Sequence, residues 1–259
     1  MKKTLSILAV VFWVSGCGQT PKAPVITGPS LHLLFIGNSY TYVNSLPVMF
    51  KQLAASGHHE VSGEMIAPGG FALSQQANTP ATMAQINGGS WDYVILQDQS
   101  YLPALEEQRA KEMFPAVRYL TYYIRKAKAK PLLYMTWGRQ KGLPEQGFSD
   151  FDSMQIQLTK AYTDIAQELK ISVAPVGEAW RTALGHDPAA ALWGPDGSHP
   201  SVEGTYLTAC VFYAAIYQTS PVGLDFTAGL SADQAKAMQT AAAETVLTDP
   251  GHWGIFPPK

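Results

Sequence analysis

Five short apolar runs, each followed by a stretch of helical periodicity, restrict what this chain can fold into. Leu31–Ile36, Glu60–Ile66, Asp92–Leu96, Pro131–Thr136 and Ile171–Ala174 each read as a strand bounded by turn residues. A helix is expected from Leu46 to Ala55. Another is expected where Met113, Val117, Leu120 and Ile124 recur at helical spacing, with Pro115 beginning or kinking it. Phe151 to Leu169 is a third helical segment. Leu207, Cys210, Val211 and Ala214 form one apolar stripe, and Ser231 with Gln234 forms a capping box before an Ala-rich helix. Strands that alternate with helices pair in parallel and carry helices on both faces. The runs are nearly all apolar, as strands covered on both faces are. In such sheets ligands bind beyond the carboxyl ends of the strands, so the residues just after each run are where chemistry is sought.

The rest of the chain fits one α/β domain. It has 259 residues, 46% hydrophobic and 15% charged, enough for a sizeable core. A formal charge of −2, with no basic run past the first residues, gives no sign of a nucleic-acid partner. The first residues read as a signal peptide over 1–16: Lys2 and Lys3, then an apolar run from Leu5 to Val14 too short to span a bilayer. It ends in Val14-Ser15-Gly16-Cys17, which resembles a bacterial lipoprotein box. That resemblance implies acylation of Cys17, a tether over 17–30 rich in Pro, Gly, Ser and Thr, and a domain over 31–259. It also implies a place in the bacterial cell envelope, with the membrane a partner through the lipid alone. Gly18 in place of an aspartate favours the outer membrane or periplasmic face. Without Lys2 and Lys3 the basic residues fall from 18 to 16 against 20 acidic ones, a net charge of about −4. Only Cys210 remains once Cys17 is lipidated; its apolar neighbours make it a small buried hydrophobe, and no disulfide framework forms.

Three of the expected strand ends carry polar or glycine-rich turns. Gly37-Asn38-Ser39 follows the first, placing a serine where a helix N-terminus leaves N–H donors free; from this segment alone a plain N-cap serine is the better reading. The G-x-S-x-G elbow of α/β-hydrolases is absent, since position 41 is Thr. Gly69-Gly70-Phe71 follows the second, where glycine lets backbone approach a ligand. Gln97-Asp98-Gln99-Ser100 follows the third and offers side-chain amides that could donate to an oxyanion. Near the C-terminus, Asp196-Gly197-Ser198-His199-Pro200 can set a carboxylate beside an imidazole, fixing its tautomer for proton transfer from a hydroxyl. No His/Cys/carboxylate cluster has metal-ligand spacing.

In this order, these segments resemble the SGNH (GDSL-like) hydrolases over almost all of the domain. Gly37-Asn38-Ser39 matches the family's Gly-Asp-Ser block with Asn for Asp, and Asp196, His199 and Pro200 match its Asp-x-x-His-Pro block. Gly70 best matches the second block's glycine, with Gly69 the alternative. The third block departs: Gln99 stands where the family has its oxyanion-hole Asn, and Gln97 where it has Gly. The resemblance implies a three-layer α/β/α sandwich around a five-stranded parallel sheet, flavodoxin-like in order. It implies Ser39 as nucleophile, His199 as general base, and Asp196 orienting it. Ser39, Gly70 and Gln99 (alternative Gln97) form the oxyanion hole, without metal or other cofactor. The implied reaction is ester hydrolysis, in a family that includes carbohydrate O-deacetylases, short-chain esterases, lysophospholipases and thioesterases; the surface anchor and loop tryptophans lean toward short-chain esters, acetyl above all, on a small molecule or saccharide.

Two rival readings are acyl transfer to a glycan by the same residues and a non-catalytic glycan-binding lipoprotein. Trp137 and Trp193, near the motif loops, suit either a platform for sugar faces or the core. The segment Trp137–Phe148 reads as polar and mobile, with no apolar lid.

Overall fold

The computed structural model describes residues 29–256. The expected signal segment 1–16, Cys17 and all but the last two residues of the tether lie outside the described residues. The five strands are β1 (Leu31–Ile36), β2 (Val61–Ile66), β3 (Tyr93–Leu96), β4 (Lys130–Tyr134) and β5 (Ser172–Ala174). They form one sheet in the order β2-β1-β3-β4-β5, every neighbour parallel. This is the flavodoxin-like order, and its direction of winding reverses between β1 and β3. Right-handed crossovers then place the helix after β1 on one face and those after β3 and β4 on the other. The result is a three-layer α/β/α sandwich.

The sheet register sets the height of the site. Ile36 pairs with Ile66 on one side and with Leu96 on the other. The turns 37–39, 67–70 and 97–99 therefore leave the sheet side by side at the reversal point, where open α/β sheets bind ligands.

Local chemistry explains the main helices. Asp150 caps Phe151–Leu169, its carboxylate accepting from the Ser153 N–H at 2.8 Å. Ser231 and Gln234 form the expected capping box of Ala232–Leu247. Pro115 lies within a continuous helical run from Glu106 to Lys126 rather than at its start, and a π-helical turn over Arg109–Met113 precedes the place where its N–H is missing.

The structure differs from the sequence reading in two elements. β2 is not covered on both faces: it is an edge strand, and Met65 within it is 43% exposed. Helix Val202–Tyr217 is buried on all sides from Glu203 to Ile216, not along one stripe, because helices Leu46–Ser56, Val176–His186 and Ala232–Leu247 all pack on it. Cys210 lies within it, fully buried.

Candidate active site

Ser39 opens the short helical turn Ser39–Tyr42 directly after β1. Asn38 caps that turn: its side-chain oxygen accepts from the Tyr40 N–H at 3.1 Å, and its Nδ2 donates to the Phe71 carbonyl at 2.8 Å. Gly37 precedes it because there is no room for a side chain. A Cβ there would lie 2.4 Å from both Gln97 Oε1 and Thr41 Oγ1. The turn is thus locked to the loops after β2 and β3 by one asparagine and one glycine.

Residues 193–200 fold as a tight loop closed by an antiparallel bridge between Trp193 and Pro200 and by Gly194 N–H donating to the His199 carbonyl at 2.8 Å. Gly197 turns the chain at φ +65, a conformation that favours glycine. Asp196 Oδ1 accepts the N–H groups of Ser198 and His199 at 3.0 and 2.9 Å, and its Oδ2 lies 2.5 Å from His199 Nδ1. His199 Nε2 lies 2.8 Å from Ser39 Oγ. The structure thus brings Ser39, His199 and Asp196 from opposite ends of the chain into one hydrogen-bonded series. Burial pulls the Asp196 carboxyl upward, but hydrogen bonds from the His199 ring and the two backbone N–H groups outweigh it and hold the pKa at about 2. Asp196 is therefore ionised at any ordinary assay pH and accepts from His199 Nδ1, which turns Nε2 toward the Ser39 hydroxyl. The Asp196 and His199 side chains are 49% and 40% exposed, so their pairing orients the imidazole and adds little to stability.

Several residues, of which sequence reasoning singled out only Trp137, hold this loop in place. Tyr40 donates to or accepts from Ser198 Oγ at 2.7 Å, and its ring meets His199 edge-on at 5.5 Å. Asn44 donates to the Pro200 carbonyl at 3.0 Å and to Thr205 Oγ1 at 2.9 Å. Trp137 donates to the Ser198 carbonyl at 3.0 Å and Gln140 N–H to the Gly197 carbonyl at 2.9 Å. Tyr40, Trp137 and Trp180 stack in series at 4.5 and 4.2 Å, each contact worth about 0.5–1.5 kcal/mol beyond area burial. Trp137 is fully buried, so it braces the loop and is no platform for a sugar. Trp193 is partly buried, packing edge-on against Phe151 and Trp180. The segment Trp137–Phe148 is not a loose polar loop. Leu143 and Phe148 pair with each other and bury themselves with Met154 and Leu158.

Around Ser39, the backbone N–H groups of Ser39 and Gly70 form no hydrogen bond within the described residues. Gly70 has φ +75 and turns the loop Pro68–Phe71, and nothing lies within 4 Å of where its Cβ would be. Its neighbour Gly69 faces the Tyr42 hydroxyl instead.

The two glutamines differ sharply. Gln97 is fully buried and committed to the Ser39 turn. Its Oε1 accepts from Asn38 N–H at 2.9 Å and Thr41 Oγ1 at 2.8 Å, and its Nε2 donates to Asn38 Oδ1 at 2.9 Å and to the Asp98 carbonyl. Gln99 Oε1 accepts from the N–H groups of Tyr101 and Leu102 at 2.9 and 3.1 Å, which fixes the side chain and leaves both hydrogens of its Nε2 without a partner among the described residues. Beneath them Asp98 is fully buried. Its Oδ1 accepts from the Leu73 and Gln99 N–H groups, each at 2.7 Å, while its Oδ2 has no partner. Burial pushes this carboxyl up to about 6, with Glu112 adding to the rise and the two N–H groups opposing it.

Among the described residues no group of three or more His, Cys, Asp or Glu side chains is placed to hold a metal ion. Two surface clefts, of about 420 and 770 Å³, are lined by no residue of the Ser39, Asp196 or His199 turns.

This fold is that of the SGNH hydrolases. No family model matches the chain, and no curated protein matches it in sequence. Solved structures do. A DUF4886 family protein from Bacteroides uniformis superposes with a TM-score of 0.74 at 18% identity, over 86% of this chain and 96% of that one. A proposed SGNH hydrolase from Slackia heliotrinireducens shares 28% identity with a TM-score of 0.63, over 73% of this chain and all (100%) of that one. A variant of an acetyl-xylooligosaccharide esterase from Geobacillus matches with a TM-score of 0.54 at 16% identity, over 73% and 94%.

Proposed function

We propose that this protein is a serine esterase that cleaves short-chain esters, acetyl esters first among them, on small molecules or saccharides. The observation that carries this reading is the series Ser39 Oγ–His199 Nε2–His199 Nδ1–Asp196 Oδ2, at 2.8 and 2.5 Å, beside unengaged N–H donors. The 28% identity to a proposed SGNH hydrolase and the acetylesterase among the structural neighbours support it.

In this mechanism His199 Nε2 takes the proton of Ser39 as Oγ attacks the ester carbonyl. The N–H groups of Ser39 and Gly70 and the Nε2 of Gln99 receive the negative charge that develops on the carbonyl oxygen. Collapse expels the alcohol, to which His199 returns the proton, and leaves an acyl group on Ser39. Water, deprotonated by His199, then releases the acid and restores the serine. Transfer of the acyl group to a glycan hydroxyl needs only that the hydroxyl replace water in the second half.

We also propose that the chain is carried to the bacterial cell envelope by residues 1–16 and anchored there through Cys17, as its lipoprotein-box pattern implies.

The test is a series of para-nitrophenyl esters from acetyl to palmitoyl, run with and without an oligosaccharide acceptor. Turnover that falls steeply beyond butyryl, with free acid as the product, supports a short-chain esterase. A rate that rises toward palmitoyl contradicts it, and acylated oligosaccharide as the main product makes the protein a transferase.

A further inference from the structure

Arg139 stands apart from the other arginines of the described residues. Arg118 is held by both oxygens of Glu168, Arg181 by Glu178 and Asp152, Arg125 by the carbonyls of Leu169 and Lys170, and Arg109 by Ala104 O and Gln157. Among the described residues the Arg139 guanidinium makes no ion pair and no hydrogen bond, and its Nε is buried without an acceptor. A buried donor left unsatisfied is costly and calls for an explanation.

Its position supplies one. Arg139 lies beyond the carboxyl end of β4, between the two walls of the Ser39 site. On one side its neighbour Gln140 is bonded to Gly197, within the loop that carries Asp196 and His199. On the other its guanidinium lies over the Tyr101 ring, 5.4 Å from the centroid, and the Tyr101 N–H is held by Gln99 Oε1. Its charge reaches the Tyr40 hydroxyl: burial pushes that group up, and hydrogen bonds to Ser198 and Ser100 and the charge of Arg139 oppose the rise. Stacking on an aromatic face leaves the in-plane N–H donors of a guanidinium open, in the fork geometry that matches a carboxylate.

We propose that Arg139 is a specificity residue of the Ser39 site that recognises a carboxylate on the substrate, so that the preferred esters are those of anionic molecules. This rests on the esterase reading and narrows its substrate class: a uronate or other carboxylate-bearing alcohol, or the half-ester of a dicarboxylic acid. A carboxylate on the terminal nitrogens, which unlike Nε are not buried, would neutralise a charge that no carboxylate among the described residues pairs.

The experiment compares matched esters that differ in charge alone. Para-acetoxybenzoate against para-acetoxybenzamide places the charge on the alcohol side. Mono-para-nitrophenyl glutarate against para-nitrophenyl pentanoate places it on the acyl side. Wild type should prefer the anionic member of at least one pair by kcat/KM. Arg139→Met should reduce that preference by roughly 10- to 100-fold, as loss of a charge-assisted hydrogen bond does, mainly through KM. Arg139→Lys, which keeps the charge and loses the fork, should retain part of it. Wild type that shows no preference in either pair, or a preference that survives Arg139→Met, overturns the proposal while hydrolysis of the neutral esters leaves the esterase reading standing. Absence of hydrolysis of any ester overturns both.

Discussion

Replacing Asp98 with asparagine should change how stability depends on pH, by an amount the structure sets. Asp98 is fully buried, and its pKa is raised from 3.8 to about 6, first by burial and then by Glu112, against the opposing Leu73 and Gln99 N–H groups. Between those two values the folded state holds a proton that the unfolded state has lost. The resulting stabilisation is fully present below the unfolded value and is lost as pH rises through about 6. At 1.36 kcal/mol per unit, the gap of about two units amounts to about 3 kcal/mol. Asparagine keeps an oxygen for the Leu73 and Gln99 N–H groups, puts an amide where Oδ2 has no partner, and does not titrate. Urea unfolding of both proteins from pH 4 to pH 8 isolates the effect, because contributions of opposite sign, such as that of Asp196 with its pKa of about 2, cancel in the difference. Relative to Asp98→Asn, the wild type should lose about 2 kcal/mol across that range, the remainder of the difference falling below pH 4. A difference that stays constant with pH, or that moves in the wild type's favour as pH rises, would refute the reasoning.

Three further outcomes are expected. Gln99→Ala should lower kcat by roughly 10² to 10³ with little change in KM, the usual cost of one oxyanion donor, whereas Gln97→Ala should unfold in less urea, because it strips the Ser39 turn of three hydrogen bonds. Gly37→Ala forces a methyl against Gln97 and Thr41 at 2.4 Å and should cost about 1–3 kcal/mol in urea unfolding, since Gln97 is pinned and cannot yield. Cys17→Ala should move the protein from the membrane fraction to the soluble fraction of bacterial cells; equal partitioning of both forms would rule out lipidation at that residue.

What the sequence made legible was whatever is local. Helix Phe151–Leu169 was readable to the residue because its apolar spacing is regular and Asp150 marks its start. The strands were readable within a residue or two from their apolar runs. Ser39, Asp196 and His199 were readable because each sits in a short motif whose loop geometry is self-contained. What stayed hidden depends on partners far away in the chain. Gln97 and Gln99 are the same residue type two positions apart, and only contacts to Asn38, 59 residues away, and to the turn at Tyr101 separate brace from free donor. The struts Asn44 and Trp137 bond to residues 156 and 61 positions away and leave no local pattern. Trp137–Phe148 read as loose because its polar residues outnumber Leu143 and Phe148, yet those two find Met154 and Leu158 and fix the whole segment.

The most direct measurement is para-nitrophenyl acetate hydrolysis by purified wild type and Ser39→Ala, with folding of the variant checked by its urea midpoint. Ser39 Oγ makes one contact of note, to His199 Nε2 at 2.8 Å, and the turn around it is held by Asn38 and Gln97, so alanine should leave the fold intact. Turnover should then fall by on the order of 10⁶, as it does when the nucleophile of such a series is removed. A folded Ser39→Ala protein that keeps more than about a hundredth of the wild-type rate would contradict the assignment of Ser39 as the nucleophile.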